Sequence, residues 1–419
     1  MTQISRTRLM TGAASLLAAA SWQLGAVPPG LAQVMTSEPN FAAPNLVAPN
    51  LIAPPGVNPP KSEEAPVSAL TTPALTGPLS ANPHPIGFDT GFPLGRVHFG
   101  GAISGMALFQ SNPAPGNNKT EFDLTNGLLW LQNNEGPFQF FAMAGVYSFP
   151  TLGTPYFHVP KINHDTFGPV PVAYGKLVAT EEISFQFGKL PTLIGAEYAF
   201  TFQNMNIERG LLWNQEPLIS RGIQGNYAAG PLTLSVSLND GFYSNNYNWI
   251  SGLASYALNQ ENTIAVAGGG AFRETTKSTF VTPPPQNNSR IINLIYTYNA
   301  APWTITPYFQ FTDVPSSARL GILGARTYGG AVLANYKITD NLNLAGRAEY
   351  IASDGPGNVL YGPGSAAGSL TLTPTWQMGV WFVRGEGSVV HAFDSAGAFG
   401  RDGTKKTQLR GLIETGIVF

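Results

Sequence analysis

Cysteine is absent from the 419-residue chain, which excludes disulfides, thiolate metal sites and a lipidated N-terminal cysteine. Charge is scarce too. The 22 basic and 24 acidic residues make up 11% of the chain, less than half of the usual share of about 25%. No basic block occurs, so nothing recruits nucleic acid electrostatically. No Gly-rich phosphate loop lies between a strand and a helix, and the five histidines (His84, His98, His158, His164, His391) lack a serine partner at a recognisable spacing. "HVPKINHD" puts His158, His164 and Asp165 in one loop, a pattern open to a metal or to an ordinary polar loop. No enzyme and no cofactor is expected. Low charge without a long apolar core run leaves a β-rich protein in an unusual solvent, or a partly disordered one.

What is present begins with an export signal. Arg6 and Arg8 precede the apolar stretch "LMTGAASLLAAASWQLGAV", and Gly30, Leu31 and Ala32 offer small residues for cleavage before Gln33. A membrane anchor is the competing reading, weakened by the Thr, Ser, Gln and Gly within the stretch. The arginines are not adjacent, which argues against a twin-arginine signal. Residues 1–32 are thus expected to be a signal peptide. From 33 to 94 the chain repeats Ala-Pro-Asn-Leu and then accumulates prolines, which forbid helix and central strand. A disordered periplasmic tether is expected there.

From residue 95 to 419 the pattern has period two. In "LTLSVSLN", Leu232, Leu234, Val236 and Leu238 take one face, and Thr233, Ser235, Ser237 and Asn239 the other. Sixteen such segments are expected: 97–109, 122–132, 138–147, 178–187, 193–202, 218–228, 232–240, 250–258, 263–272, 290–298, 303–312, 326–336, 342–351, 370–376, 380–390 and 407–419. Tight turns such as "NNEG", "KLP" and "AAGP" alternate with long polar loops at 148–177, 203–217, 273–289 and 352–368. Sorting of loops by length to the two ends is the layout of an outer-membrane barrel with short periplasmic turns and long extracellular loops.

In a bilayer every backbone polar group is paired within the protein, so a sheet crosses only when closed. The last segment, "TQLRGLIETGIVF", must then pair with the first. Its parity puts Leu409, Ile413, Ile417 and Phe419 toward lipid, and Arg410 and Glu414 toward the lumen. Pro307 and Pro374 fall inside expected strands, where each removes a ladder bond, so a bulge or a displaced boundary is expected. The fold class expected is an all-β transmembrane antiparallel barrel of about sixteen strands.

At "GKLPTLIGAEYAFTFQNMNIERGLLWNQEPLISRGIQ" the chain resembles the OmpL-like β-barrel porin family of bacterial outer membranes. Gly188, Lys189, Thr192, Gly195, Ala196, Glu197, Asn206, Arg209, Ser220 and Arg221 carry the resemblance, which extends over 95–419. It implies passive diffusion of small hydrophilic solutes or ions through a water-filled barrel. It also implies a homotrimer, an outer-membrane lipid environment, and recognition of a final strand ending in Phe419 by the barrel-assembly machinery. In such porins the loop after the fifth strand folds inward. Here that is expected to be 203–217, carrying Glu208, Arg209 and Glu216, flanked by Glu197 and Arg221, with Leu211, Leu212 and Trp213 pinning it.

On the late strands Arg347, Glu349, Arg384, Glu386, Arg410 and Glu414 share the lumen parity. They either face acidic groups across the pore and bias ion choice, or neutralise one another along the wall. Arg221 has the lipid parity and must lie at the rim or bend inward. Two other functions stay open: a closed structural or adhesive barrel, and a carbohydrate-type channel using Tyr243, Tyr247 and Trp249. Those aromatics are equally suited to headgroup anchoring. Small inward residues favour an open channel, and the chain is too short for twenty-two strands and a plug.

Overall fold

The computed structural model describes residues 70, 72–91, 94–279 and 283–419; the expected signal peptide and the Ala-Pro-Asn-Leu repeats lie outside them. Seventeen strands occur in the described chain. After the short β1 (Ile86–Asp89) come β2 (Arg96–Gln110), β3 (Thr120–Asn133), β4 (Phe138–Tyr147), β5 (Val172–Val178), β6 (Ile183–Pro191), β7 (Ile219–Ala229), β8 (Leu232–Asn239) and β9 (Trp249–Ala257). The second half holds β10 (Asn262–Ala271), β11 (Arg290–Ala300), β12 (Trp303–Val314), β13 (Ala325–Lys337), β14 (Leu342–Asp354), β15 (Ala366–Met378), β16 (Trp381–Ala392) and β17 (Thr407–Val418). From β2 onward each strand pairs antiparallel with its chain neighbour, and β17 returns to β2 from Val418↔Ala102 to Arg410↔Gln110. This closes a sixteen-stranded barrel and removes both edges. Connections are short at one end, as at 230–231 and 301–302, and long at the other, as at 148–171, 192–218 and 272–289.

Parity decides what faces lipid. On β8, Leu234, Val236 and Leu238 are exposed on the outer wall, while Ser235, Ser237 and Asn239 are buried inside. At the short-turn end Trp303, Tyr336, Trp376 and Trp381 stand outward as an interfacial belt, with the Trp303 and Tyr336 rings 4.6 Å apart.

The two prolines do not bulge their strands. Pro307 faces Val332 on one side; on the other the ladder lapses between Ile295↔Tyr308 and Tyr298↔Ile305 and resumes in the same register. Pro374 behaves alike, between Leu372↔Gly387 and Thr375↔Arg384. The sheet therefore loses a local pairing but keeps its frame. A bulge lies instead between β2 and β3, where Ser104↔Asn126 is followed by Gly105↔Leu124. The extra residue, Thr125, lets two consecutive side chains, Thr125 and Asn126, turn inward and be buried.

Three expectations are corrected. The stretch 178–187 is not one strand: it spans the turn between β5 and β6, and "KLP" ends β6 rather than forming a turn. The stretch 193–202 is not a strand either. Its alternation of apolar residues comes from burial inside the barrel, where Leu193, Ile194, Phe200 and Phe202 pack on different walls. One strand lost at 193–202 is balanced by one gained at Val172–Val178, so the total of sixteen stands. Finally, the last part of the proline-rich stretch is not a free tether. It contains β1, paired with Arg96–Phe99, and Leu79 is buried within the barrel.

Candidate functional site

The loop that enters the lumen is 192–218, following β6, the fifth strand of the barrel. It is longer than the expected 203–217 and almost wholly buried. Its base is tied by Thr192 N–H to the Leu218 carbonyl at 3.1 Å. Inside, Asn204 holds the loop to itself: its side-chain carbonyl accepts the Tyr198 N–H at 2.6 Å, and its NH2 donates to the Tyr198 carbonyl at 2.7 Å and the Phe200 carbonyl at 2.9 Å.

Irregular backbone at membrane depth survives only where its polar groups are met, and the wall supplies the partners. Glu386 on β16 accepts the N–H groups of Ile207 and Glu208. Glu349 on β14 accepts those of Leu211 at 3.0 Å and Leu212 at 3.3 Å, while Glu197, in the loop itself, takes Gly210 N–H at 2.8 Å. Three carboxylates thus meet five of the six backbone donors of 207–212, and the sixth, Arg209 N–H, goes to the Pro150 carbonyl at 3.1 Å. Arginines meet the carbonyls. Arg347 donates to Glu208 O at 2.8 Å and Arg384 to Thr201 O at 3.2 Å and Asn204 O at 3.0 Å. Arg410 donates to Thr151 O at 2.7 Å and Thr154 O of the connection 148–171, which bridges to the inward loop through Thr151 and Arg209.

The charges are paired as well. Arg347 bridges Glu197 and Glu349, Arg384 meets Glu414 at 3.2 Å, and Arg410 meets Glu208 at 2.7 Å. Ser104 and Thr201 donate to Glu414, Ser388 donates to Glu208, and Gln310 donates to Glu216. Arg209 lies 5.4 Å from the Trp213 ring centre. Neither sequence alternative describes this arrangement fully. The late-strand charges neither stand free in the pore nor simply neutralise each other; they hold a folded-in loop.

Arg221 stands apart from this cluster. At the long-loop rim it donates to Asp240 at 2.8 Å and lies over the Tyr243 ring at 3.9 Å. Burial pushes the Asp240 carboxyl up, and Arg221 opposes that shift. Trp249 is not a headgroup anchor: it is fully buried against Ile194, Phe242 and Ile291. His158 bonds Asp123 at 3.0 Å and Glu121 at 3.1 Å, whereas His164 bonds Asp165. The two histidines thus serve different partners, and no group of three metal-ligating side chains forms among the described residues.

The facing wall is different chemically. Its inward residues on β4–β12 include Gln139, Gln186, Gln224, Asn226, Ser235, Ser237, Ser251, Thr263 and Asn293. Along this wall Gln224 donates to Gln186 at 3.0 Å and to Asn226 at 2.7 Å, and the Ser235 hydroxyl donates to Asn226 at 2.8 Å. Within it Lys176 of β5 faces inward opposite Gln139 and Gln186, with no ion pair among the described residues. Sequence reasoning missed it because residues 148–177 read as loop. The signal was there: Tyr174 and Lys176 alternate with Ala173, Gly175 and Leu177.

A family model described as "Putative beta-barrel porin-2, OmpL-like" matches residues 96–419. Among solved structures, an anion-selective porin from Comamonas acidovorans superposes with a TM-score of 0.54 at 12% identity, covering 77% of this chain and 99% of that one. The outer membrane channel DcaP of Acinetobacter baumannii gives 0.53 at 11% identity, over 80% and 99%. OmpT, an outer membrane protein of Vibrio cholerae, gives 0.52 at 14%, over 79% and 99%. A comparison with curated proteins found no match. The closed sixteen-stranded barrel, its lipid-facing parity and the family match over the whole barrel together make this chain an outer-membrane porin of the OmpL-like β-barrel family.

Proposed function

We propose that loop 192–218 is the constriction of a passive diffusion pore, and that small hydrophilic solutes pass between it and the polar wall of β5–β12. Glu197, Glu208, Arg209 and Glu216 belong to the constriction. Arg347, Glu349, Arg384, Glu386, Arg410 and Glu414 hold it in place, and Arg221 braces the rim. The observation that carries this reading is the asymmetry of the lumen: charges clamp the loop on one side, and small polar side chains line the other. Lys176, inward-facing and unpaired among the described residues, gives that passage a preference for anions. Residues 1–32 would direct export, the strand ending in Phe419 would be the assembly signal, and the chain would assemble as a trimer, as OmpT of Vibrio cholerae does in its trimer form.

The aromatic cluster inside the barrel, with Trp130 stacked on Phe202 at 5.7 Å and Phe149 against Trp213 at 6.3 Å, favours the rival reading of a closed structural barrel. Single-channel recording of the refolded protein in a planar lipid bilayer separates the two. Long-lived conductance steps, with a reversal potential of anionic sign in a salt gradient, support the pore. Correctly inserted protein with no steps and no solute flux supports the closed barrel.

A further inference from the structure

The segment before the barrel is built into its short-turn mouth. From residue 72 to 85 the chain enters beside β3, where Gln132 Nε2 donates to Thr72 O at 2.6 Å. It then runs beneath the tip of the inward loop. Thr76 N–H and Gly77 N–H donate to Gln203 O at 2.9 and 3.3 Å, and Gln203 Nε2 returns a bond to Ala74 O at 3.0 Å. It leaves along β15, where the Gln377 amide pairs with Ser80 in both directions, at 2.8 Å to the N–H and 3.0 Å to the carbonyl. β1 then ties the end of the segment to β2.

Packing follows the hydrogen bonds. Leu79 is buried in the same cluster as Trp130, Phe200 and Phe202, with Leu75 against it. Gly77 lies so close to the loop that a Cβ there would meet Asn204 O at 2.2 Å. The cavity left between the segment and the wall, lined by Thr72, Leu75, Trp130 and Phe202 among others, is about 30 Å³, room for water and not for a solute. Proline suits this place. Pro73, Pro78, Pro83 and Pro85 carry no N–H that would need a partner in the mouth, and their fixed φ lowers the cost of ordering the segment.

We propose that residues 72–85 are a strap that forms a second constriction, below the inward loop, and sets the size limit at the periplasmic mouth. This rests on the porin reading: solute entering the barrel must leave past the strap. The strap is fastened to side chains of two strands and to the loop, so the size limit depends on Gln132, Gln203 and Gln377, whose role is to position it.

Two measurements on the full chain test this. Thr76→Cys with Gln203→Cys places the only two cysteines of the protein at the strap and the loop tip; rapid disulfide formation in the membrane is expected, and its failure overturns the placement without any reference to conduction. Gly77→Gln drives a side chain against the loop backbone and dislodges the strap, and Gln377→Ala releases its far end. Both variants are expected to raise unit conductance and admit larger neutral sugars in liposome swelling, with the folded barrel confirmed by heat-modifiable migration. A conducting parent and variants of identical conductance and size limit overturn the strap and leave the porin reading intact. Silence of parent and variants alike overturns both.

Discussion

Replacing Arg347 by Met strands two carboxylates at once. The Arg347 side chain has no solvent exposure, and its guanidinium serves Glu197 and, at 3.3 Å, Glu349, besides the Glu208 carbonyl at 2.8 Å. Removing one partner of a buried pair costs about 3–5 kcal/mol, because the remaining charge is neither solvated nor compensated. The orphaned Glu208 carbonyl adds about 1–3 kcal/mol unless water reaches it. The sixteen-strand ladder does not depend on Arg347, so the cost falls on the docking of loop 192–218. Urea unfolding of the protein in lipid vesicles should show a lower midpoint, and single-channel records should become noisier as the loop detaches. Arg347→Met combined with Glu197→Gln should recover part of the loss, since one stranded charge is gone. An Arg347→Met protein as stable and as quiet as the parent would refute the claim that wall charges hold the loop.

Further consequences follow from single positions. Lys176→Glu should reverse the sign of the reversal potential in a salt gradient while leaving the unfolding midpoint close to the parent's. Val236→Arg, on the lipid face of β8, should destabilise the barrel by about 2–4 kcal/mol if it lies near the midplane; Ser235→Arg, one residue away but inward, should instead spare the fold and lower conductance. Asn204→Ala, which removes three bonds inside the loop, should cost about 1–3 kcal/mol for each group left unmet, read as a lower unfolding midpoint. Gly195 has φ +102° and its added Cβ would lie 2.0 Å from the Glu216 carboxylate, so Gly195→Ala should break the Glu216–Gln310 contact and raise channel noise.

The barrel was legible because lipid imposes a local rule. A strand in a bilayer must alternate, so Leu234, Val236 and Leu238 against Ser235 and Ser237 announce both strand and orientation in a few residues, and Arg410 and Glu414 announce the lumen. The inward loop was legible only in part. Residues 193–202 alternate like a strand because they are buried, and period two cannot distinguish lipid from a packed lumen. Val172–Val178 is hidden for a different reason: it is only seven residues long, and its lumen face carries a lysine, so its alternation is weak against the polar loop before it.

Partnership was the part the sequence left undetermined. Composition and parity by themselves determined a closed membrane-spanning barrel with Arg410 and Glu414 turned inward; the porin reading came from the family resemblance. Only the tertiary structure decided that Arg347 meets Glu197, 150 residues away, that Glu349 and Glu386 receive backbone N–H groups, and that prolines expected in a free tether lie strapped beneath the loop. The physical reason is that parity is a property of one strand and its solvent. Pairing depends on which distant segment the closed wall brings into reach.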